Sequence, residues 1–164
     1  MNRSFLFCAF LLANQGLTQG GPLENNLRGP GNIVISGTGN DVDGRDNLLN
    51  GYDNNIRGNQ DFVFGNRNRV QGSYSIVTGD KNNVEGNSND VDGLKNSVSG
   101  HGNIVRGAGN FVSSGINEFG INAVSGTNNE VHGIGNVVSG HSNVVKNFDP
   151  AELQALLNGL GRRL

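Results

Sequence analysis

The chain has 164 residues, 27 of them Gly, no Trp, 34% hydrophobic residues and a formal charge of -2. That apolar content is too thin for a domain built on one conventional core, unless a repeat supplies the burial. The scattered Lys and Arg form no basic stripe, which excludes nucleic acid as a partner, and the single Cys8 excludes a disulfide framework.

At the amino end, Asn2, Arg3 and Ser4 precede an apolar run over residues 5–13, followed by polar residues and Thr18-Gln19-Gly20. Nine apolar residues are too few to span a bilayer and suit a secretory signal, so residues 1–20 are expected to be a leader cleaved near Gly20. A buried terminal strand or helix is the other reading of that run. Export makes the mature chain extracellular, without a membrane span and without its only thiol, Cys8. Loss of Arg3 leaves 11 Lys and Arg against 14 Asp and Glu, a charge of -3.

Residues 21–147 form the second segment, and from Leu23 onward they repeat one seven-residue phrase, x-x-Asn-x-Val-x-Gly, through 18 tandem units. Asn holds the third position in 16 units, with Asp61 and Ser75 as the exceptions. Val holds the fifth in 14, and its substitutes Leu27, Leu49, Ile56 and Phe119 are all apolar. Gly holds the seventh in 15. Residues 30–37 form a unit with one extra residue, and residues 115–119 form a unit two short.

A coiled coil is excluded, because one Gly in every heptad costs a helix about 1 kcal/mol each. Strand alternation instead places positions 3, 5 and 7 on one side and positions 4 and 6 on the other. Val then forms the core, Asn an inward corner and Gly the turn, where a positive φ or a close backbone approach is needed. Each unit is one strand and one turn, and two units make a coil of 14 residues. The predicted fold is all-β, a β-roll or β-solenoid. At about 4.7 Å per coil, nine coils give a rod roughly 40 Å long. The Asn amide both donates and accepts, so stacked Asn side chains can satisfy one another, and their role is read as structural.

Residues 148–164 read as a short C-terminal capping helix over the last coil. Asp149 is the cap, Pro150 the first helical residue and Glu152 follows three after the cap, with Leu153, Leu156, Leu157 and Leu160 at helical spacing. Gly159 or Gly161 stops the helix, and Arg162 and Arg163 suit its negative end. A helix that meets a partner or a membrane surface is the alternative.

With positions 3, 5 and 7 committed to structure, function falls to positions 4 and 6. Alternation of the units predicts one face with Asn26/Arg28, Asp41/Asp43, Asn55/Arg57, Arg69/Gln71 and Asn83/Glu85, continuing as Ser97/Ser99, Phe111/Ser113, Ala123/Ser125 and Val137/Ser139. The other face starts with Ile33/Ile35, Leu48/Asn50, Phe62/Phe64 and Ile76/Thr78 and turns charged at Asp90/Asp92, Ile104/Arg106, Glu118, Glu130/His132 and Val144/Lys146. The charge-free surface thus changes sides near the middle of the rod. A flat array of small hydroxyl and apolar groups at fixed spacing matches a periodic solid better than a flexible solute.

Asn96-Ser97-Val98-Ser99-Gly100, Asn136-Val137-Val138-Ser139-Gly140 and Ser142-Asn143-Val144-Val145 resemble the repeats of the ice recrystallisation inhibition proteins of cold-hardy grasses. The similarity spans residues 23–147 as a pattern and is closest after Lys95. The resemblance implies a secreted, left-handed β-roll that adsorbs to an ice crystal surface and restrains crystal growth, with little freezing-point depression. It implies no cofactor and no metal, and in a plant the location would be the apoplast. The family's ice face is a ladder of Thr, Ser and Val at the two outward positions. Those positions fall here on Ser97, Ser99, Ser113, Ala123, Ser125, Val137 and Ser139, with the bulkier Phe111 in the same ladder. Thr78 is the only outward Thr, and the apolar cluster of Ile33, Ile35, Phe62, Phe64 and Ile76 reads as an interface or the seat of an N-terminal segment.

Other readings compete. The repeat also resembles the rolls of trimeric bacterial adhesin heads, which would make the chain a surface adhesion module binding a cell-surface or polysaccharide ligand. That reading predicts a trimer with a coiled-coil stalk, whereas this chain ends in one short helix and is expected to be a monomer. Calcium-binding rolls repeat every nine residues with inward Asp, whereas Asp41, Asp43, Asp90 and Asp92 point outward. The three His, with no mature Cys and no catalytic spacing around them, leave no enzyme constellation.

Overall fold

In the computed structural model of the protein, residues 24–114 and 121–146 are described. The expected leader at 1–20 and capping helix at 148–164 lie outside the described residues. Within them the seven-residue phrase becomes 17 short strands. In chain order these are β1 (Asn26–Arg28), β2 (Ile33–Ser36), β3 (Asp41–Arg45), β4 (Leu48–Asn50), β5 (Asn55–Asn59) and β6 (Phe62–Phe64). There follow β7 (Arg69–Ser73), β8 (Ile76–Asp80), β9 (Asn83–Glu85), β10 (Asp90–Leu94), β11 (Ser97–Ser99) and β12 (Ile104–Ala108). The last are β13 (Phe111–Ser113), β14 (Ala123–Thr127), β15 (Glu130–His132), β16 (Val137–His141) and β17 (Val144–Lys146).

Odd-numbered strands form one parallel sheet of nine, here sheet A, and even-numbered strands form a parallel sheet of eight, sheet B. The chain alternates between them, so each full turn pairs a strand with the one 14 residues on, as Ile56 with Val70 and Val70 with Val84. The result is a β-solenoid of about eight turns.

Two facing files of fifth-position residues, one from each sheet, fill the space between the sheets as one core. Fourteen of them, from Val42 to Val138, are 0–6% exposed, and Leu27, Val34 and Val145 pack against this core at its ends. β-branched Val suits this place, since its stiff side chain packs well on a pleated strand and pairs in register with the like residue of the next coil.

The Asn residues form two buried ladders, one at each corner of the coil. Asn54 is representative: its backbone N–H and its Nδ2 both donate to Asn40 Oδ1, each at 3.0 Å, and Nδ2 also donates to the Gly65 carbonyl at 2.8 Å. The same three bonds recur at Asn96 toward Asn82 Oδ1 and the Gly107 carbonyl. Each amide thereby satisfies its neighbour's backbone and a turn carbonyl as well as its own polar atoms, which lets it sit at about 1% exposure.

The turns divide their conformational demands between two positions. Seventh-position Gly93 has φ 137°, and an added Cβ would lie 1.7 Å from the Gly107 carbonyl oxygen, so no side chain fits. Most second-position residues also have positive φ, at 64–75° in Gly31, Gly39, Gly102, Gly109 and Gly135 and at 54–62° in the others, the left-handed region that L residues can reach, where Asp53, Arg67, Tyr74 and Lys95 stand. This second positive-φ position was not foreseen from the sequence, because Gly holds it in only five of the described units and its other occupants share no residue type.

A second, outer set of ladders was also not foreseen. At one corner Tyr52 N–H donates to Asn66 Oδ1 (3.0 Å) and Asn66 N–H to Asp80 Oδ1 (2.7 Å). At the other, Asn59 N–H donates to Ser73 Oγ, Ser73 N–H to Asn87 Oδ1 and Asn87 N–H to His101 Nδ1. These run from each coil to the next, opposite in sense to the inner Asn bonds. Short acceptors at the first position are the signal that would have revealed them.

Two irregularities change the stacking. The extra residue in unit 30–37 is absorbed by a register shift between Val34 and Ser36, so Ser36 rather than Ile35 pairs with Asn50 and donates its hydroxyl to Asn50 Oδ1 at 2.8 Å. The short unit at 115–119 has the larger effect. Val105 pairs with Val124 and Val112 with Val131, each 19 residues apart rather than 14. The pairing therefore passes over the short unit and counts it as added length within one coil.

Candidate functional site

Because β12 pairs with β14 and β13 with β15 across a 19-residue offset, every later unit lies on the sheet opposite to the one that simple alternation predicts. The expected single face of Ser97, Ser99, Phe111, Ser113, Ala123, Ser125, Val137 and Ser139 is thus corrected by the structure. Ser97, Ser99, Phe111 and Ser113 lie on β11 and β13 of sheet A, where β13 pairs next with β15, bringing in Glu130 and His132. Ala123, Ser125, Val137 and Ser139 lie on β14 and β16 of sheet B, beside β12 with Ile104 and Arg106. The expected change of sides by the charge-free surface is overturned with it.

Sheet A carries charge along most of its length. Seven of its nine strands hold a charged residue at an outward position, the exceptions being β11 and β13. At its amino end, Asn26 and Asn55 both donate to the Asp41 carboxylate, at 2.9 and 3.3 Å. At its other end His132 Nε2 lies 2.7 Å and Lys146 Nζ 3.8 Å from Glu130 Oε1, while the His132 ring tilts against Phe111 with centroids 5.4 Å apart. The hydrogen bond from His132 holds the Glu130 carboxyl below the ordinary carboxylate range, with Lys146 and the charge of His132 acting in the same sense. Among the described residues no group of three His, Cys, Asp or Glu gathers as metal ligands.

Sheet B is different. Its fourth-position file reads Ile33, Leu48, Phe62, Ile76, Asp90, Ile104, Ala123 and Val137, apolar except for Asp90. Its sixth-position file reads Ser36, Asn50, Phe64, Thr78, Asp92, Arg106, Ser125 and Ser139. Charge is confined to β10 and β12, where Arg106 Nη2 lies 3.7 Å from Asp90 Oδ2. Beside each apolar file member stands a group that in most coils is a hydroxyl or an amide, on a strand whose alternate residue is locked in the core. The pairs recur about 4.7 Å apart along the rod and span about 6.6 Å across each strand, so the strip is flat, rigid and periodic.

The described residues thus define a parallel β-roll that holds outward side chains in register on a narrow strip. The sequence model of the family described as grass antifreeze beta roll matches residues 16–118, which is 103 of the 164 residues. The chain belongs to this ice-binding family, which is not a class of enzyme. The match takes in β1 to β13 and ends within the short unit, before the four strands whose sheet assignment that unit changes. No curated protein matches the chain.

Proposed function

We propose that the protein adsorbs to ice through sheet B and inhibits ice recrystallisation, acting outside the cell as a monomer. The observation that carries this reading is the in-register pair of files on sheet B, uncharged in six of eight strands. Small hydroxyls and amides can donate and accept, so they suit water held in either orientation, and the apolar neighbours leave that water free of competing partners. Because the roll is rigid before contact, little ordering is lost when the strip meets a crystal.

The dimensions favour a repetitive solid over a folded partner. A strip one strand wide and about 34 Å long has roughly a third of the 800 Å² that each side of a stable protein interface buries. The apolar run at 5–13 followed by small polar residues supports export.

The test is a recrystallisation assay on the folded chain beside Thr78→Lys and Ser125→Lys on sheet B and Ser99→Lys on sheet A. The expected outcome is loss of inhibition in the two sheet B variants and retention in Ser99→Lys. Loss confined to Ser99→Lys would move the ice face to sheet A, and a wild-type chain that leaves grains coarsening as in buffer would end the reading.

A further inference from the structure

We propose that Asp90, Asp92 and Arg106 divide one continuous ice face into two short ones and so limit the strength of ice adsorption; this rests on sheet B being the ice face. The backbone shows no division there. Strands β8, β10, β12 and β14 pair in unbroken five-residue registers, from Ile76 through Asp90 and Ile104 to Ala123, and from Thr78 through Asp92 and Arg106 to Ser125. Only the side chains change. They separate an uncharged stretch on β2 to β8 from a second on β14 and β16.

Hydrogen-bond chemistry makes these three residues the interruption. An ionised carboxylate only accepts and a guanidinium only donates, so each turns its hydration water in one sense. A lattice water needs both donors and acceptors around it, which Thr, Ser and Asn side chains supply and charged groups do not. The Arg106 and Asp90 side chains are 63% and 42% exposed and their 3.7 Å contact is loose, so both keep their hydration water rather than neutralising one another. Phe62 and Phe64 also depart from small residues, but an apolar ring imposes bulk without orienting water. By this argument charge, rather than bulk, sets the limit.

The experiment compares D90T/D92T/R106T with D41T/D43T/R57T, which makes the same change of composition on adjacent strands β3 and β5 of sheet A. A third variant, F62T/F64T, separates bulk from charge, and Asp92→Thr alone serves if the triple variant does not fold. Circular dichroism checks folding, and recrystallisation inhibition and freezing-point depression are measured against concentration. The expected result is a several-fold lower concentration for half-inhibition, with measurable freezing-point depression, for the sheet B triple only, and a smaller gain in the same direction for Asp92→Thr. Equal gains in both triples, or a gain only in F62T/F64T, would overturn the proposal. An active wild type that the sheet B triple does not improve would also overturn it while leaving the ice reading intact. Inert wild type and inert triple together would reject the ice reading itself.

Discussion

Among single residues, Asp61 shows most clearly what the Asn ladder does, because it stands where an amide belongs. Its N–H donates to Asn47 Oδ1, and its Oδ1 accepts from Ser75 N–H, each at 2.9 Å. The second oxygen, Oδ2, is buried with no hydrogen-bond partner among the described residues. An Asn there would point Nδ2 at Asn47 Oδ1 and at the next turn carbonyl, as Asn47 does one coil earlier toward Asn32 Oδ1 and the Gly58 carbonyl. Burial pushes the Asp61 carboxyl up from 3.8 to about 6, opposed in part by the bond from Ser75. The folded state therefore binds this proton more tightly than the unfolded chain. Its destabilising contribution is absent below the ordinary carboxylate value, grows as pH rises through the interval up to about 6, and is complete above it. Asp61→Asn is expected to raise stability at pH 7 by on the order of 2–3 kcal/mol and by much less at pH 4, as read from urea unfolding at the two pH values.

The turn is the element in which backbone conformation decides tolerance, and its two positive-φ positions predict opposite results. At Gly93 a Cβ would strike the Gly107 carbonyl at 1.7 Å, and neither the carbonyl nor the φ of 137° can yield without breaking the coil contact. Gly93→Ala is expected to cost on the order of 4 kcal/mol or to prevent folding. At Arg67, φ is 56° and the side chain is exposed, with a loose contact of 3.8 Å to Asp53. Arg67→Gly relieves left-handed strain of about 1–2 kcal/mol while adding backbone entropy to the unfolded chain, so a net stabilisation of up to about 1 kcal/mol is expected. Thermal melts of the two variants check the pair. The strand, corner and seventh-position Gly of this element were legible in the repeat. The second-position conformation was not, because Gly holds it in only five of the described units and Asp, Arg, Tyr, Lys and Ser reach the left-handed region elsewhere without a common side-chain chemistry.

For the molecule as a whole, each coil touches only the coil before and the coil after, so stability is close to a sum over coils and interfaces. Excision of one full coil, residues 82–95, joins Lys81 to Asn96 and presents each ladder with the same kind of partner it lost. The shortened chain is expected to fold, to unfold cooperatively, and to show a urea m value lower by roughly one eighth. Removing seven residues instead would exchange the sheets for everything beyond the cut, and would redistribute the outward residues without changing the core.

That sensitivity to phase separates what the sequence determined from what the tertiary structure decided. Asn, Val and Gly at fixed spacing determined the strand, the buried file, the corner ladder and the parallel coil, because each of those depends on contacts that every repeat makes with an identical neighbour. The composition of the functional face depends on something that no single unit contains, namely which units stack on which. Five residues at 115–119 read equally well as a shortened strand or as extra length in one coil, and only the pairing of Val105 with Val124 and Val112 with Val131 distinguishes the two. The structure thereby put Ser125 and Ser139 with Thr78 on sheet B, and left Ser97, Ser99 and Ser113 on sheet A, because a solenoid carries a change of phase to every strand that follows it.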